Sequence, residues 1–428
     1  MTLPNDVLFI LNTLETANFE AFVVGGCVRD SLRNITPKDW DIATSATPLQ
    51  TKALFSRTID TGIKHGTITV LVGKSPYEVT TYRIDGKYTD NRRPESVTFS
   101  TSIEEDLSRR DFTMNAIAYN PKRGFIDPFN GRGDIKKRII RCVGEAYCRF
   151  NEDALRMLRA VRFAGTLGFI IDKHSLVAIS SLNKNIRDVS AERVQIELVK
   201  LINGAYPQAI TLLKSTGLLS YVLKGHSFSG YLEEIETWLR RLNKYPQPFS
   251  SNEAMKLTLF FDGTNNVKEI LRDLRFDNKT ISEVELYTKF INIPLFYLAG
   301  TNYEIKKNIL SQMTQDIFSN LCVLKWIVIR ESMLMLEVIE RDTIALYQKG
   351  ECFTLSNLAI NGNDLIALGF PKGKHIGHIL NYLLDEVMKN PCTYFNQKET
   401  LIELAIDVGG YFTDVNIPIK PTDSRQYL

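Results

Sequence analysis

The stretch VVGGCVRDSLRNITPKDWDIAT, residues 23–44, combines an apolar strand, two glycines, a helix-like segment and a pair of aspartates. Asp39 and Asp41 are two residues apart, so on a strand both carboxylates would lie on one face. Two carboxylates on a rigid face suit Mg²⁺, which can also bind substrate phosphates. Because an isolated D-x-D is usually a pair of solvated loop aspartates, this interpretation depends on the residues that precede it.

The two glycines upstream of the aspartates predict a phosphate site. Gly25 and Gly26 follow the apolar strand, and the helix-like segment VRDSLR comes next. A glycine turn at a helix N-terminus lets backbone N–H groups approach an anion closely, and Arg29 adds a forked cation. The alternative is an ordinary β–α turn. A phosphate site thirteen residues before a carboxylate pair is much less readily explained by chance than either feature alone.

The sequence GGCVRD followed by DWD resembles the signature of class II tRNA nucleotidyltransferases. It is also similar to bacterial poly(A) polymerases, which share the polymerase-beta-like nucleotidyltransferase superfamily. The resemblance implies transfer of a nucleotide α-phosphate to a 3′-hydroxyl with loss of pyrophosphate, by a two-metal mechanism. It further implies that Asp39 and Asp41 are catalytic and bind the metal, Mg²⁺. Glu78 is a weaker candidate for a third carboxylate, with a surface glutamate as the alternative.

A second motif, LSRRDFTMNAIAYN (107–120), is also similar to the family. The resemblance implies that Arg110 contacts the nucleotide phosphates and that Asp111 or Asn115 reads the ribose hydroxyls. A site that selects ribonucleotides needs a hydrogen-bonding group at the 2′-hydroxyl. By itself, the pair Arg109-Arg110 would more often be solvated.

The third motif, NEDALRMLRAVRFAG (151–165), places Asp153 and Arg156 three residues apart, where they would be neighbours on a helix. An intrahelical salt bridge is the simpler interpretation of an isolated D-x-x-R. In the family, however, E-D-x-x-R replaces a nucleic-acid template. A carboxylate acceptor beside a guanidinium donor matches the Watson–Crick edges of C and A and rejects those of G and U. The resemblance implies that Arg159 and Arg162 join this pair in binding the nucleotide.

Composition excludes several classes of protein. The net charge of +3 argues against a generally cationic nucleic-acid binder but allows a local basic cleft. No apolar run reaches the roughly 18–20 residues that span a bilayer, and the first 20 residues lack the basic start of a signal peptide. The six cysteines form no C-x-x-C pair, so we expect neither a zinc site nor a disulfide framework, and we expect a cytoplasmic protein.

The distribution of strand and helix patterns predicts an α+β fold, with a small mixed-sheet head followed by an elongated all-helical part. The segments AFVVGG, GTITVLV and YEVTTYR read as strands, whereas the chain beyond residue 150 has apolar residues at helical spacing. We expect a catalytic head at 1–145, a neck with the templating motif at 146–205, a body at 206–320 and a tRNA-binding tail at 321–428.

The tail holds one suggestive segment and one misleading one. NGNDLIALGFPKGKHIGHILNYLLDEV (361–387) is similar to the family's tail, and Lys372 and Lys374 are candidate phosphate contacts. The string HIGH at 375–378 also occurs in class I aminoacyl-tRNA synthetases. Here it lies near the C-terminus without a K-M-S-K-S partner, which indicates coincidence.

The resemblance implies an enzyme that adds C, C and A to the tRNA 3′ end from CTP and ATP, with no protein partner predicted. The alternatives are A-adding or CC-adding relatives, poly(A) polymerase, and an RNA-binding protein with an inactive head. In the family, a flexible loop at the place of IDGKYTDNRRPE (84–95) accompanies addition of the terminal A. This loop favours full CCA addition.

Overall fold

The computed structural model describes residues 1–86, 97–298, 301–349, 351–390 and 396–412. The chain divides into two compact units, Met1–Ile281 and Ser282–Leu428. The first unit contains every strand found in the described residues, and the second is helical. The predicted α+β class is therefore confirmed, whereas the four finer boundaries stay a prediction.

The first unit is built around a seven-stranded sheet with the order β3-β4-β5-β2-β1-β8-β9. Two short two-stranded sheets, β6-β7 and β10-β11, accompany it. The strands are β1 Ala21–Val24, β2 Asp41–Thr44, β3 Thr58–Gly62, β4 Thr67–Val72, β5 Ser75–Thr81, β6 Arg83–Asp85, β7 Val97–Phe99, β8 Ala118–Asn120, β9 Gly124–Ile126, β10 Ile139–Ile140 and β11 Ile170–Ile171. Within the large sheet, β2 and β5 are parallel, and the other neighbouring strands are antiparallel.

Helices cover the sheet and make up the rest of the first unit. They are α1 Asn5–Thr16, α2 Gly26–Leu32, α3 Pro48–Leu54, α4 Ile103–Ser108, α5 Gly131–Lys137, α6 Ala146–Glu152, α7 Leu155–Leu167, α8 Lys173–Leu182, α9 Ala191–Ile202, α10 Thr211–Ser215, α11 Leu218–Val222, α12 Leu232–Leu242, α13 Glu253–Phe260 and α14 Val267–Asp273. Helix α15, Asn278–Phe290, crosses the boundary between the units.

A buried cluster fixes the centre of the sheet, and with it the start of α2. Strand β1 is buried along its whole length. Its residues Phe22 and Val24 pack in one apolar cluster with Tyr82 and with Ile103 and Leu107 of α4. Burying these side chains removes a large apolar area from water. The turn that follows β1 is therefore anchored on a rigid element.

Two local expectations need correction. Strand β2 begins at Asp41, so Asp39 lies in the exposed segment before the strand and not on it. The motif at 151–165 is not one helix, since α6 ends at Glu152 and α7 starts at Leu155. Asp153 has extended backbone angles (φ −141°, ψ 103°), and its carboxylate accepts a hydrogen bond from the Leu155 N–H at 3.1 Å. Aspartate competes with helical hydrogen bonding in this way, which breaks the helix.

The second unit comprises six further helices with their own apolar cores. These helices are α16 Asn302–Ile305, α17 Gln315–Val328, α18 Met333–Gln348, α19 Gly362–Ala367, α20 Lys374–Lys389 and α21 Lys398–Phe412. Leu365, Ile379, Leu383 and Leu401 belong to one buried cluster that joins α19, α20 and α21. Lys372 and Lys374 are exposed, and the HIGH string covers the first turns of α20. Among the described residues, no helix is both long and apolar enough to cross a membrane.

Candidate active site

The turn between β1 and α2 requires glycine at its first position. Gly25 adopts φ +76°, a region that L side chains rarely occupy. A Cβ at this position would also lie 3.0 Å from Nη1 of Arg110. The Gly25 N–H donates to the Ile117 carbonyl at 3.2 Å, which ties the turn to the neighbouring chain. The turn therefore brings bare backbone and a guanidinium together at the start of α2.

Arg29 is buried and firmly oriented. Its Nη1 donates to Oδ1 of Asn115 at 2.7 Å, and its Nε donates to Oδ1 of Asp30 at 2.9 Å. Arg29 thus connects α2 to the second sequence motif, 86 residues away. A buried guanidinium held on two sides keeps little freedom, which suits a fixed anion contact.

Three carboxylates meet where β2 begins. Asp41 pairs in register with Glu78 of the parallel strand β5. Asp41, Asp39 and Glu78 all remain accessible to solvent. Even so, desolvation by the surrounding protein raises the pKa of Asp41 above its ordinary value, Arg110 opposes the shift, and the charges of Glu78 and Asp39 add to it. Negative charge is therefore crowded at this point. In the described part of the chain, no group of three or more His, Cys, Asp or Glu residues has the arrangement of a metal site.

A buried aspartate orients the side chain of Arg110. Asp106, 1% exposed, accepts from Nη2 of Arg110 at 3.0 Å and from Nη2 of Arg109 at 2.6 Å. Burial favours a higher pKa for Asp106, but the charges of Arg110 and Arg109 outweigh it and hold the pKa below its usual range. Nε of Arg110 is buried without a hydrogen-bond partner among the described residues. Arg110 therefore has donor capacity to spare for a ligand.

Asp111 and Asn115 hold arginines in place. Oδ2 of Asp111 accepts from Nε and Nη2 of Arg159 at 2.9 and 2.7 Å, and its Oδ1 accepts from Nδ2 of Asn115 at 3.0 Å. Burial opposes ionisation of Asp111, but Arg159 and Asn115 lower its pKa to about 2. Both side chains are thus engaged in positioning, and the expectation that one of them reads the ribose stays a prediction.

The proposed templating residues are held from different directions. Arg193 of α9 donates two hydrogen bonds to Asp153, from Nη1 to Oδ1 at 3.2 Å and from Nη2 to Oδ2 at 2.8 Å. Arg156 is 8% exposed and donates to Oε2 of Glu152 at 2.6 Å and to the Arg109 carbonyl at 3.0 Å. The carboxylate and the guanidinium are therefore both pre-oriented by protein groups.

Helix α9 supplies two site residues that sequence reasoning missed. Glu197, 3% exposed, accepts from Nη1 of Arg159 at 3.4 Å and from Nε of Arg162 at 2.8 Å. Arg193 and Glu197 are four residues apart and therefore share one helix face. The sequence SAERVQIELVK does contain an indication of this role, because the buried face of an amphipathic helix is normally apolar and a glutamate there needs a partner.

These groups line one cavity of about 480 Å³. Eight of the nine residues predicted for the site line it, and Asp39 does not. The lining residues are Gly25, Gly26, Arg29, Asp41, Arg109, Arg110, Asp111, Asn115, Asp153, Arg156, Arg159, Arg162 and Phe163. Such a volume suits a small ligand. Six arginines against three aspartates make the cavity favourable for a polyanion.

Phe163 forms the apolar part of this cavity. The guanidinium carbons of Arg29, Arg159 and Arg162 lie 5.3, 5.5 and 3.5 Å from the centroid of its ring. Burial lowers the pKa of Arg162 even though Glu197 opposes the shift. Three cations around one ring carry positive charge that an anionic ligand would neutralise. An arginine-lined cavity with an aromatic wall and Asp41 at its edge suits a nucleoside triphosphate, as in a nucleotidyltransferase.

Comparison with known proteins agrees with this geometry. A family model described as "Poly A polymerase head domain" matches residues 21–141. A second, "Probable RNA and SrmB-binding site of polymerase A", matches 168–228, and a model of tRNA nucleotidyltransferase domain 2 matches 248–405. Together they cover the sheet domain and most of the helical part.

The CCA-adding enzyme of Levilactobacillus brevis is 37% identical over 401 residues, covering 93% of this chain and 96% of that protein. The CCA-adding enzyme of Geobacillus thermodenitrificans is 46% identical over 279 residues, or 64% of this chain and 67% of its own. The crystal structure of the Bacillus stearothermophilus CCA-adding enzyme in complex with CTP superposes with a TM-score of 0.76 at 32% identity, covering 96% of this chain and 99% of that one. The chain belongs to the CCA-adding enzymes, a family of tRNA nucleotidyltransferases. The resemblance inferred from the three motifs is thereby confirmed.

Proposed function

We propose that this chain adds C, C and A to the 3′ end of tRNA from CTP and ATP, releasing pyrophosphate. The observation that carries the proposal is the cavity of about 480 Å³, where the glycine turn, Asp41 and the α7 arginines face one space. Full-length relatives are CCA-adding enzymes, and one related structure contains CTP. A nucleoside triphosphate and an RNA 3′-hydroxyl are the reactants that this chemistry must bring together.

Asp39 and Asp41 are the proposed ligands of Mg²⁺, with Glu78 as a further candidate. The fit rests on charge: neighbouring carboxylates contribute to the raised pKa of Asp41, and a divalent cation would relieve that repulsion. When bound in such a site, Mg²⁺ activates the attacking hydroxyl and neutralises charge on the leaving pyrophosphate. The chain's own part is to hold the carboxylates at the mouth of the phosphate pocket.

The triphosphate would be bound by the arginines of the cavity. Arg29 is fixed by Asn115, and Arg159 and Arg162 are fixed by Glu197. Arg110 has an unused buried donor. Guanidinium groups that are already oriented bind phosphates with little further loss of conformational freedom. The backbone N–H groups that follow Gly25 would complete this cradle.

Base choice would depend on Asp153 and Arg156. The carboxylate of Asp153 would accept a hydrogen bond from the amino group that both C and A present, and Arg156 would donate hydrogen bonds to their ring acceptors. G and U carry a carbonyl where C and A carry the amino group, so they would meet the carboxylate with a lone pair. Arg193 supports this role because it holds both oxygens of Asp153. One pair could thus replace a template for both nucleotides.

The alternatives are an A-adding or a CC-adding enzyme and a poly(A) polymerase. The loop expected to favour full CCA addition, 84–95, falls mostly outside the described residues, so the argument for it remains one from sequence. Incubating the protein with Mg²⁺, tRNA lacking CCA and each labelled nucleotide separates these activities. Addition of three nucleotides in the order C, C, A supports the proposal. Addition of A alone to tRNA ending in CC, or of CC alone, contradicts it.

The metal assignment is tested by Asp39→Ala and Asp41→Ala, each compared with Asp60→Ala. Asp60 is an exposed carboxylate of β3 that pairs with Lys52, so its loss should cost at most about 1 kcal/mol. We expect both site variants to lose nucleotide addition while keeping tRNA affinity and melting temperature. Substantial activity in the Asp39→Ala/Asp41→Ala double variant refutes the assignment.

We further propose that the protein works in the cytoplasm. The observation behind this is the cysteine usage, which fits a reducing compartment. Fractionation of cells with an antibody against the chain tests it.

A further inference from the structure

A second, larger cavity of about 730 Å³ lies beside the active site in the first unit. Helices α2 and α7 contribute to both cavities. Arg29 and Phe163 line the active site, whereas Arg33 and Leu167, each four residues further along, line the second cavity. Four residues of helix rise about 6 Å. The two cavities are therefore adjacent along the same pair of helices.

The second cavity is strongly basic. Arg33, Arg132, Lys136 and Arg138 line it, against the single acidic residue Asp127. Both oxygens of Asp127 are occupied, since they accept from the backbone N–H groups of residues 131 and 132. Arg33 pairs with Asp30 at 3.4 Å, whereas Lys136 and Arg138 have no ion pair within the described ranges. The cavity consequently presents net positive charge to whatever enters it.

Helix stability does not explain these cations. Arg132 lies in the first turn of α5, where the helix dipole disfavours positive charge. Arg138 ends that helix with φ +56°, a conformation that a long side chain adopts only at a cost. The dipole favours the positive charges of Lys136, in the last turn, and of Arg138, at the C-terminal end. The charge of Arg132 and the backbone conformation of Arg138 thus oppose local preference, as is expected where side chains serve binding.

An aromatic side chain completes the cavity. Tyr206 lines it and is 38% exposed, and its ring lies against Gly168, where a Cβ would come within 2.6 Å of the ring. Glycine at 168 therefore allows the ring to occupy this place. Inorganic phosphate or pyrophosphate gains nothing from an aromatic face, whereas nucleotides of RNA stack on one. Cations together with an accessible ring favour a nucleic-acid strand over a small free anion.

We infer that this second cavity binds the phosphate backbone of the tRNA acceptor end while its 3′-hydroxyl is in the neighbouring active site. The inference rests on the proposed function, since it needs tRNA as the acceptor. Arg132, Lys136 and Arg138 neutralise backbone phosphates, and Tyr206 offers a surface to a nucleotide. The contact is independent of sequence, as a site that serves many tRNAs must be.

The test compares two pairs of neutralising substitutions. Arg132→Gln/Lys136→Gln removes two cavity cations, and Lys64→Gln/Lys74→Gln removes two exposed lysines of the same unit outside both cavities. Affinity for tRNA lacking CCA is measured by anisotropy over a series of salt concentrations. Each lost phosphate contact should reduce the log–log salt slope by about 0.7–0.9. We expect the cavity variant to lose about 1.5 in slope and about tenfold in affinity near 0.15 M salt, and the control to match the wild type.

Pyrophosphate binding, measured by calorimetry on the same proteins, distinguishes the source of the phosphate. Unchanged pyrophosphate affinity with a reduced tRNA slope supports the inference. An unchanged tRNA slope overturns it, and so does a loss of pyrophosphate affinity with tRNA binding intact. Melting temperatures within about 2 °C of the wild type show that the variants fold. If the wild type adds no CTP to tRNA, the proposed function fails, whereas wild-type addition with equal slopes in both variants refutes only this cavity's role.

Discussion

Replacing Arg193 by methionine should weaken the enzyme's choice between CTP and UTP. Arg193 reaches both oxygens of Asp153 at 3.2 and 2.8 Å, and the carboxylate also accepts from the Leu155 N–H at 3.1 Å. Methionine keeps an unbranched side chain on α9 but donates no hydrogen bond. The carboxylate would then be free to turn away from the position at which it meets the amino group of C or A.

The expected size of the loss in base discrimination depends on how far the Arg193–Asp153 ion pair is exposed to water. The side chains of Arg193 and Asp153 are 28% and 16% exposed, so water screens them only in part. A good bidentate contact that reads a base is worth about 1–3 kcal/mol, and Arg193 orients one half of such a contact. A loss of about 1–2 kcal/mol corresponds to a 5- to 30-fold smaller ratio of kcat/KM for CTP over UTP. Asp153→Ala, which removes the carboxylate itself, sets the upper limit.

The assay is single-nucleotide addition to tRNA lacking CCA, with kcat and KM determined separately for CTP and UTP. Lys200→Met is the matched control, because it removes an exposed cation from the same helix. The control should leave the nucleotide ratio unchanged. If Arg193→Met slows CTP and UTP equally, Arg193 only stabilises the fold and the pre-orientation of Asp153 does not contribute to base choice.

Other residues of the site give three further predictions. Asp111→Asn should lower the free energy of unfolding by about 2 kcal/mol at pH 7, since the pKa of Asp111 is lowered to about 2. The difference in urea midpoint between variant and wild type should shrink as the pH falls from about 4 towards 2, and a pH-independent difference contradicts the assignment. Glu197→Gln should raise KM for CTP and ATP alike, by about tenfold, because the two arginines it holds would loosen; a change in the CTP-to-ATP ratio would point to base reading instead. Gly25→Ala should abolish addition, because it strains the turn and displaces Arg110; unchanged steady-state kinetics would show that the turn tolerates a side chain.

The sequence was sufficient for the fold class and for most of the cavity, because both depend on local patterns. The strand before Gly25 and the helix after it follow from hydrophobic pattern and turn chemistry, and β1 and α2 lie there. The arginines of 151–165, spaced three residues apart, drift around the helix, but their long side chains converge on one cavity. These features require no knowledge of distant contacts.

The missed partners of the site residues depend on long-range contacts. The helix break at Asp153 is stabilised by Arg193, 40 residues later, and no local pattern specifies that partner. Glu197 acts on arginines 35 and 38 residues away. In the same way, Glu78 was a weak candidate in the sequence and proved to be the in-register neighbour of Asp41. Tertiary packing decided which groups these residues contact, and helical periodicity could mark only Glu197, as a glutamate on the buried face of α9.

The parallel pairing of β2 with β5 also bears on the order in which the chain folds during synthesis. Strands β4 and β5 form a hairpin across a short turn, whereas β5 reaches β2 only by closing the 30 residues between Thr44 and Ser75. Pairings that close long loops form more slowly than local ones. A nascent chain on the ribosome would therefore display its glycine turn and both aspartates well before Glu78 arrives beside Asp41. The seven-stranded sheet is complete only when β8 and β9, residues 118–126, have also left the ribosome.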